Sequence, residues 1–314
     1  MKINTSKPAK PEKDSTPKEA PVRVLPDKTI SLASQLSEPI NSVNQLTWLL
    51  YGEKKIGKSS LVSKFPKAHF LMFEPGFKGL RIYYKLMGDI NTIEAWTNFK
   101  SYVDMLCDTD SHDFLTVPID TVDLCYKACV TWVCKKEGMT HPQDLPYGKG
   151  WSLVEKEFCS VINKLAQSGL GIVFISHATE KEFQERTGGK YDKLVPTMPN
   201  QAKNFISGIA DAIVYYGYYG NERLITVRGS DAIESGHRME ENFWIASEAN
   251  KPLEKRDKIG GRVHSIPVGN SAQEAYDNFL AAFNNEQVMT GEPDSNRVVA
   301  TLSDVPVPMD TKKK

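Results

Sequence analysis

Residues 52–59, G-E-K-K-I-G-K-S, limit the possible folds of this chain more than any other segment. They fit the pattern G-x-x-x-x-G-K-[ST], follow a short apolar run at 46–51 and precede a helical pattern that continues to about residue 65. In this context the pattern predicts a strand, a glycine-rich turn and a helix, with backbone amides that face a single anion. We therefore expect a loop that binds the phosphates of a nucleotide.

Each residue type in this loop has a physical reason. Gly52 and Gly57 let the backbone wrap around phosphate oxygens. The ammonium of Lys58 is expected to reach the β- and γ-phosphates, and the hydroxyl of Ser59 to coordinate Mg²⁺. The predicted nucleotide-binding residues are Gly52, Glu53, Lys54, Lys55, Ile56, Gly57, Lys58, Ser59 and Ser60. The alternative, an ordinary strand–turn–helix connection, requires a chance match that only about one chain of this length in a hundred would contain.

The charge and hydrophobic content of the chain exclude several classes of protein. Its 314 residues carry 39 basic and 39 acidic side chains, which excludes a uniformly basic nucleic-acid coat protein but allows a local basic patch. With 40% hydrophobic residues, the chain can bury a substantial core without metal or disulfide bonds. No apolar run approaches the roughly 18 residues of a membrane-spanning helix, and the N-terminus lacks the apolar stretch of a secretory signal. We expect a soluble, intracellular protein.

Short apolar runs alternate with helical patterns along the middle of the chain. The predicted strands are 46–51, 68–73, 114–119, 171–176, 210–216 and 223–228, with the last two forming a hairpin around 217–221. The predicted helices after the phosphate loop are 92–107, 121–136 and 151–167. Continuously apolar strands separated by helices indicate an α/β fold, with a mainly parallel sheet covered by helices on both faces. Pro118 lies inside the third strand, so a bulge or a locally free edge must accommodate it.

The two ends of the chain differ in composition from the middle. Residues 1–30 are rich in Lys, Pro, Glu, Ser and Thr, and residues 284–314 are similar and close with T-K-K-K. Such segments bury too little apolar surface to offset the entropy lost on ordering. We expect flexible N- and C-terminal tails around one domain at 31–283.

The cysteines raise the question of a metal site. Cys125, Cys129 and Cys134, with His141 as a fourth ligand, would make a zinc site. However, the chain has no C-x-x-C pair, and Cys125 and Cys129 are four residues apart within a helical pattern. We therefore expect small, reduced core cysteines, because free cysteine is among the most often buried residue types.

A phosphate loop requires a carboxylate near its magnesium ion, at the end of another apolar strand. Asp120 has this position, because it directly follows the apolar run V-P-I. Asp123 is the weaker alternative, since an acidic residue in the first turn of a helix more often favours the helix dipole.

The order of these motifs resembles the RecA-type ATPase core. The phosphate loop is followed by a strand that ends at Glu74, a strand that ends at Asp120-Thr121 and a strand that ends at Ser176-His177. The segments P-Y-G-K-G-W (146–151) and F-I-S-H (174–177) are similar to short phage-encoded RecA-like nucleotide-binding proteins, some of which act as single-strand annealing recombinases. The resemblance covers about residues 45–265 and implies a RecA-like P-loop NTPase fold.

The resemblance implies roles for two further residues. Glu74 corresponds to the glutamate that orients the attacking water, a task that suits a carboxylate. His177 has the place of a polar sensor that hydrogen-bonds the γ-phosphate, where recombinases commonly carry glutamine. The implied catalytic residues are thus Glu74, Lys58 and His177. The alternatives are a solvated turn residue for Glu74 and a structural polar cap for His177.

RecA-like proteins carry a loop that contacts single-stranded DNA after the sensor, and here residues 178–199 lie in that place. Cations beside aromatic side chains can neutralise the backbone and stack on bases. The candidate DNA-binding residues are Lys181, Phe183, Arg186, Lys190, Tyr191 and Lys193. The same segment contains four carboxylates, so a solvated hairpin that turns at T-G-G-K explains it about as well.

These expectations combine into a Mg²⁺-dependent ATPase of phage DNA recombination or replication that acts on single-stranded DNA. The implied cofactors are ATP and Mg²⁺. The implied partners are single-stranded DNA, a single-strand DNA-binding protein and further copies of the chain. The implied location is the cytoplasm of a bacterial host. Arg228, Lys255 and Arg256 are candidates for a cation that completes a neighbour's site. One alternative is a nucleotide kinase; such kinases usually carry an arginine-rich lid, and the only lid candidate here, 178–199, contains one arginine. The other is an ATP-regulated interaction module with little turnover.

Overall fold

A computed structural model of the chain describes residues 35–184, 188–258 and 260–286, and the backbone of 289–290 and 297–298. The N-terminal tail predicted at 1–30 and most of the tail predicted at 284–314 lie outside these residues. Within the described part, no helix combines the length and the apolar character that crossing a bilayer requires.

The protein alternates strands and helices as the sequence indicates. The strands are β1 Thr47–Gly52, β2 His69–Met72, β3 Tyr83–Leu86, β4 Thr116–Asp120, β5 Gly171–Gln184, β6 Lys190–Pro196, β7 Ala212–Tyr219, β8 Glu222–Thr226, β9 Gly236–His237, β10 Ser265–Pro267, β11 Met289–Thr290 and β12 Arg297–Val298. The helices are α1 Lys58–Val62, α2 Glu94–Cys107, α3 Val122–Lys136, α4 Lys149–Ala166, α5 Asn200–Ile209, α6 Ala246–Ala249 and α7 Ala272–Phe283. Three short 3-10 turns lie at Pro142–Asp144, Pro146–Gly148 and Leu253–Lys255.

One large sheet organises the molecule, with the strand order β10-β8-β7-β1-β5-β4-β2-β3. The strands from β7 to β3 pair in parallel, whereas β8 runs antiparallel to both β7 and β10. β11 and β12 form a separate antiparallel pair. The expected mainly parallel α/β sheet is confirmed, and so is the hairpin between the two strands predicted at 210–228.

Alternate side chains of the central strands enter two different cores. In β1, Leu49 packs into one core, and Trp48 and Leu50 pack into the other. The first core is closed by α2, α3, α4 and α5, and the second by α1, α7 and the segment around Phe243. Since both faces of these strands are covered, the strands need apolar residues at every position, which is why they are continuously hydrophobic.

Pro118 lies in a central strand, where proline is rare. β4 pairs with β5 through Pro118, which is opposite Val173. The registered pairing of β4 with β2 begins one residue later, at Leu71 opposite Ile119. At Pro118, β4 is therefore not paired with β2. Of the two possibilities expected from the sequence, a bulge or a locally free edge, the structure shows the free edge.

The cysteines at 125, 129 and 134 are buried in the first core, as expected. The Nδ1 atom of His141 accepts a hydrogen bond from the amide of Gln143 at 3.2 Å. Among the described residues there is no group of three His, Cys, Asp or Glu side chains placed to hold a metal ion.

Candidate functional site

The phosphate loop leaves β1 at Gly52 and enters α1 after Gly57, as the sequence predicts. A Cβ atom on Gly52 would lie 1.9 Å from the carbonyl oxygen of Tyr216 on the neighbouring strand β7, so no side chain fits there. Gly57 has φ 114°, a backbone conformation that glycine adopts at low cost and other residues rarely adopt. The two glycines are therefore needed for packing and for the turn.

Lys58 points back into this loop and is 6% exposed. Its ammonium donates to the carbonyl oxygens of Gly52 at 2.9 Å and Glu53 at 2.7 Å, and Nδ1 of His177 is 3.5 Å away. Burial lowers the pKa of Lys58 to about 8, although nearby carboxylates, Asp120 first, act to raise it. A nucleotide's phosphate oxygens would compete with the two carbonyls for the donors of this ammonium.

Ser59 and Asp120 meet at the carboxyl edge of the sheet. The Ser59 hydroxyl donates to Oδ2 of Asp120 at 2.5 Å, and Asp120 is 2% exposed at the end of β4. Burial raises the pKa of Asp120, while the Ser59 hydrogen bond and the charge of Lys58 oppose that shift. Oxygen ligands are the type that Mg²⁺ prefers, so this pair fits the metal shell of a bound nucleotide.

Asp123, the alternative to Asp120, has different partners. Its carboxylate accepts hydrogen bonds from the hydroxyl of Ser176, at 3.1 Å, and from the hydroxyl of Thr197. Ser176 lies in β5, one residue before its pairing with β1 ends, and Thr197 directly follows β6. The structure therefore brings Asp120, and not Asp123, into hydrogen-bond contact with Ser59.

Glu74 and His177 lie in the same charged neighbourhood as Lys58 and Asp120. Burial raises the pKa of the half-buried Glu74, the charge of Asp120 adds to the rise, and His177 and Lys58 oppose it. Burial and the charge of Lys58 lower the pKa of His177, against the influence of Glu74. A raised pKa makes a carboxylate a stronger proton acceptor once it is ionised.

The predicted DNA loop is a β-hairpin. β5 passes out of the parallel sheet after His177 and continues as one arm, and β6 returns antiparallel to it from Lys190 to Pro196. The predicted strand 171–176 is therefore eight residues too short. Arg186, one of the six candidate residues, lies outside the described residues.

The two faces of this hairpin carry different side chains, because residues alternate across a strand. Lys181 opposite Lys193 and Phe183 opposite Tyr191 share one face, which we call the cationic face. There the two rings stack with centroids 5.8 Å apart, and the ammonium of Lys181 lies 5.8 Å from the Phe183 ring. The other, acidic face carries Glu180, Glu182 and Asp192 with Lys190, whose ammonium binds Glu182 at 2.8 Å.

The base of the hairpin is tied to the nucleotide side of the sheet. Besides the two bonds to Asp123, the amide of Thr197 donates to the carbonyl of His177 at 3.0 Å. The hydroxyl of Tyr51, one residue before the phosphate loop, donates to the carbonyl of Leu194 at 3.0 Å. Thr197 was not expected from the sequence, because it belongs to no motif. Ser176 lies in the F-I-S-H segment, but its hydrogen bond to Asp123 was not expected.

The three cations considered for a neighbour's site have separate positions. Arg228 lines a surface cleft, and Lys255 ends a 3-10 turn. The guanidinium of Arg256 donates to the carbonyls of Lys251 at 2.9 Å and Ala249 at 3.0 Å and lies over the ring of Trp244. Arg256 is thus engaged within its own chain.

The fold and this site define a P-loop NTPase domain. The chain belongs to the AAA domain family, whose pattern it matches over residues 44–239, more than half of its length.

One curated protein is similar to this chain at low sequence identity. The SPbeta prophage-derived uncharacterized protein YorG of Bacillus subtilis (strain 168) is 27% identical over 160 residues, which are 48% of this chain and 47% of that protein. The chain thus spans about half the length of this curated relative.

Two solved structures are also similar. The KaiC-like protein PH0186 of Pyrococcus horikoshii OT3 is 12% identical, with 62% of this chain and 83% of that chain covered, at a TM-score of 0.34. The RadB recombinase is 14% identical, with 58% and 80% covered, at the same TM-score of 0.34.

Proposed function

We propose that this protein binds ATP with Mg²⁺, hydrolyses it, and couples hydrolysis to single-stranded DNA in phage recombination or replication. The observation that carries the proposal is continuity: β5 brings His177 within 3.5 Å of the phosphate-loop lysine and then becomes an arm of the exposed hairpin. A structural change at the phosphates can therefore be transmitted along this one strand to the proposed DNA-binding surface.

Each residue of the site would have a separate role in binding or hydrolysis. Lys58 would bind the β- and γ-phosphates, and Ser59 with Asp120 would hold Mg²⁺, which supplies positive charge to the phosphates when bound. Glu74 would orient a water molecule and accept its proton, for which its raised pKa is suitable. His177 would sense the γ-phosphate from the point where β5 leaves the sheet.

The cationic face supports the DNA part of the proposal. Summed over the whole loop, acidic and basic groups nearly cancel. The carboxylates that the structure describes in it, Glu180, Glu182 and Asp192, lie on the opposite face. A single strand on the cationic face would meet Lys181 and Lys193 together with the rings of Phe183 and Tyr191. Backbone neutralisation and base stacking are the two interactions that bind unpaired nucleic acid.

Assembly of several copies belongs to the same proposal. In oligomeric phosphate-loop enzymes, a cation of one copy completes the site of the next. The candidates are Arg228, Lys255 and Arg256, of which Arg256 is already held by carbonyls of its own chain. A single-strand DNA-binding protein as partner and a cytoplasmic location also belong to this proposal.

The test follows the γ-phosphate of labelled ATP, with and without single-stranded DNA and with nucleosides as acceptors. Release as inorganic phosphate, faster with DNA, supports the proposal. Transfer to a nucleoside would instead identify a kinase, and retention of intact ATP a regulated interaction module. The Glu74→Gln variant serves as the control for contaminating ATPases.

A further inference from the structure

A cleft of about 670 Å³ lies beside the base of the hairpin, outside the nucleotide site. Its wall includes β9 and the segment that connects β8 to β9. Five cationic side chains line it, namely Lys193, Arg228, Arg238, Lys258 and Arg262. None of the residues proposed to bind or hydrolyse ATP within this chain lines the cleft.

The cations of the cleft exceed its carboxylates. Asp231, Glu234 and Glu240 are the acidic residues that line it. Glu234 is bound by Lys203 at 2.6 Å, and Lys203 does not line the cleft, so its charge is offset from outside. The cleft therefore has an excess of positive charge and suits an anionic ligand.

Two of the guanidinium groups are held in place by neutral partners. Arg238 donates to the carbonyl of Gly208 at 2.7 Å. Arg262 donates to the carbonyl of Asn242 at 2.9 Å and lies over the ring of Trp244, with its central carbon 3.7 Å from the ring centroid. Carbonyl and ring contacts orient a guanidinium without cancelling its charge, so both groups stay available to an anion.

His237 also lines this cleft. Its Nδ1 atom is buried and has no hydrogen-bond partner among the described residues. Burial and the charges of Arg262 and Arg228 lower the pKa of His237, so its ring is neutral at physiological pH. A neutral ring beside the arginines does not add to their mutual repulsion.

Lys193 connects this cleft to the hairpin, because it lines the cleft and also belongs to the cationic face. We propose that the cleft holds backbone phosphates of the same single strand whose bases stack on Phe183 and Tyr191. This inference rests on the proposed DNA binding and extends its path from the hairpin to a second, guanidinium-lined site.

The test compares two oligothymidylates, one of about 4 nucleotides and one of about 16, which span the range of site sizes known for single-strand binders. The cleft variant is Arg238→Ala with Lys258→Ala. Its control is Lys67→Ala with Lys164→Ala, which removes two exposed cations that do not line the cleft. Affinity is measured against salt concentration, and nucleotide binding and thermal unfolding establish that each variant is folded.

We expect the cleft variant to bind the long oligonucleotide more weakly, with a log–log salt slope lower by about 1.4, because each phosphate contact on a single strand contributes about 0.7. The short oligonucleotide should bind as it does to the parent, and the control variant should match the parent for both. An unchanged slope with the long oligonucleotide, or an equal loss in the control, overturns the inference while DNA binding stands. If the parent binds neither oligonucleotide, the proposed function fails and the inference with it.

Discussion

Lys58 is the residue on which nucleotide binding most depends, because its buried ammonium is the positive group inside the phosphate loop. Lys58→Ala should abolish ATP binding by removing the charge that faces the β- and γ-phosphates. Direct titration with ATP measures this, with Lys64→Ala as an exposed lysine control one helical turn beyond the loop. Unchanged affinity in Lys58→Ala would refute the assignment of the phosphate site.

Glu74 is the second residue with a distinct expected effect. Glu74→Gln should leave ATP bound but slow hydrolysis by about 10²–10⁴-fold, because the amide keeps the shape of the side chain and loses the proton-accepting oxygen. Turnover is measured at saturating ATP, with Glu137→Gln as an exposed carboxylate control. Normal turnover in Glu74→Gln would transfer the role to another carboxylate of the site.

Asp120 and Asp123 differ in their partners, and so should their variants. Asp120→Asn should weaken the magnesium dependence of nucleotide binding, because a neutral amide is a poorer neighbour for a divalent cation. Asp123→Asn should keep the parent's magnesium titration, since its carboxylate binds Ser176 and Thr197 instead of Ser59. If Asp123→Asn weakened the magnesium dependence and Asp120→Asn did not, the magnesium role would belong to Asp123.

His237 should make stability depend on pH. Burial and the charges of Arg262 and Arg228 lower its pKa to about 4, so between that value and about 6.5 the unfolded chain binds more protons than the folded one. Its contribution to the free energy of unfolding is therefore present above about pH 6.5 and lost as the pH falls toward 4. Urea unfolding at pH 7 and pH 5 should show a smaller loss for His237→Gln than for the parent; equal losses would contradict the assignment.

Among the elements, β5 has two different structural environments along one strand. Its first half is a buried central strand between β1 and β4, and its second half is an exposed arm of the hairpin. The hydroxyls of Ser176 and Thr197 fix the point of transition to the first turn of α3 through Asp123.

The two faces of the hairpin predict different effects of its lysines. Replacing Lys181 and Lys193 by Ala should lower the salt slope of single-strand binding by about 1.4, whereas Lys190→Ala should leave it unchanged, because Lys190 is on the acidic face and paired with Glu182. Phe183→Ala and Tyr191→Ala should each cost about 1–3 kcal/mol of binding with the slope retained. Equal effects of Lys190 and Lys193 would mean that the two faces do not act separately.

At the scale of the whole molecule, the parts of the fold that local pattern determines were predictable. The phosphate loop, the central strands and α2 to α4 follow from apolar periodicity, glycine positions and strand-end carboxylates. β9 and β10 contain only two and three residues, so their pairing depends on the strands beside them and leaves no periodic signal. Edge strand β3 is largely exposed and carries no continuous apolar run.

Part of the candidate site was also predictable from the sequence. Ser59 and Asp120 are 61 residues apart, yet both follow parallel strands and so meet at one edge of the sheet. The contacts of Asp123 with Ser176 and Thr197 depend on where the hairpin folds back, which no local pattern specifies. The two faces of the hairpin, in contrast, could have been found, because acidic residues at 180 and 182 alternate with Lys181 and Phe183 at the period of a strand.

The measurement that most directly tests the coupling of ATP to DNA is the ratio of phosphate release with and without a long single strand. We predict a ratio clearly above one for the parent and for Lys190→Ala, and a ratio near one for Lys181→Ala with Lys193→Ala at the same DNA concentration. A ratio of one for the parent would contradict the account. So would a double variant that keeps the parent's ratio.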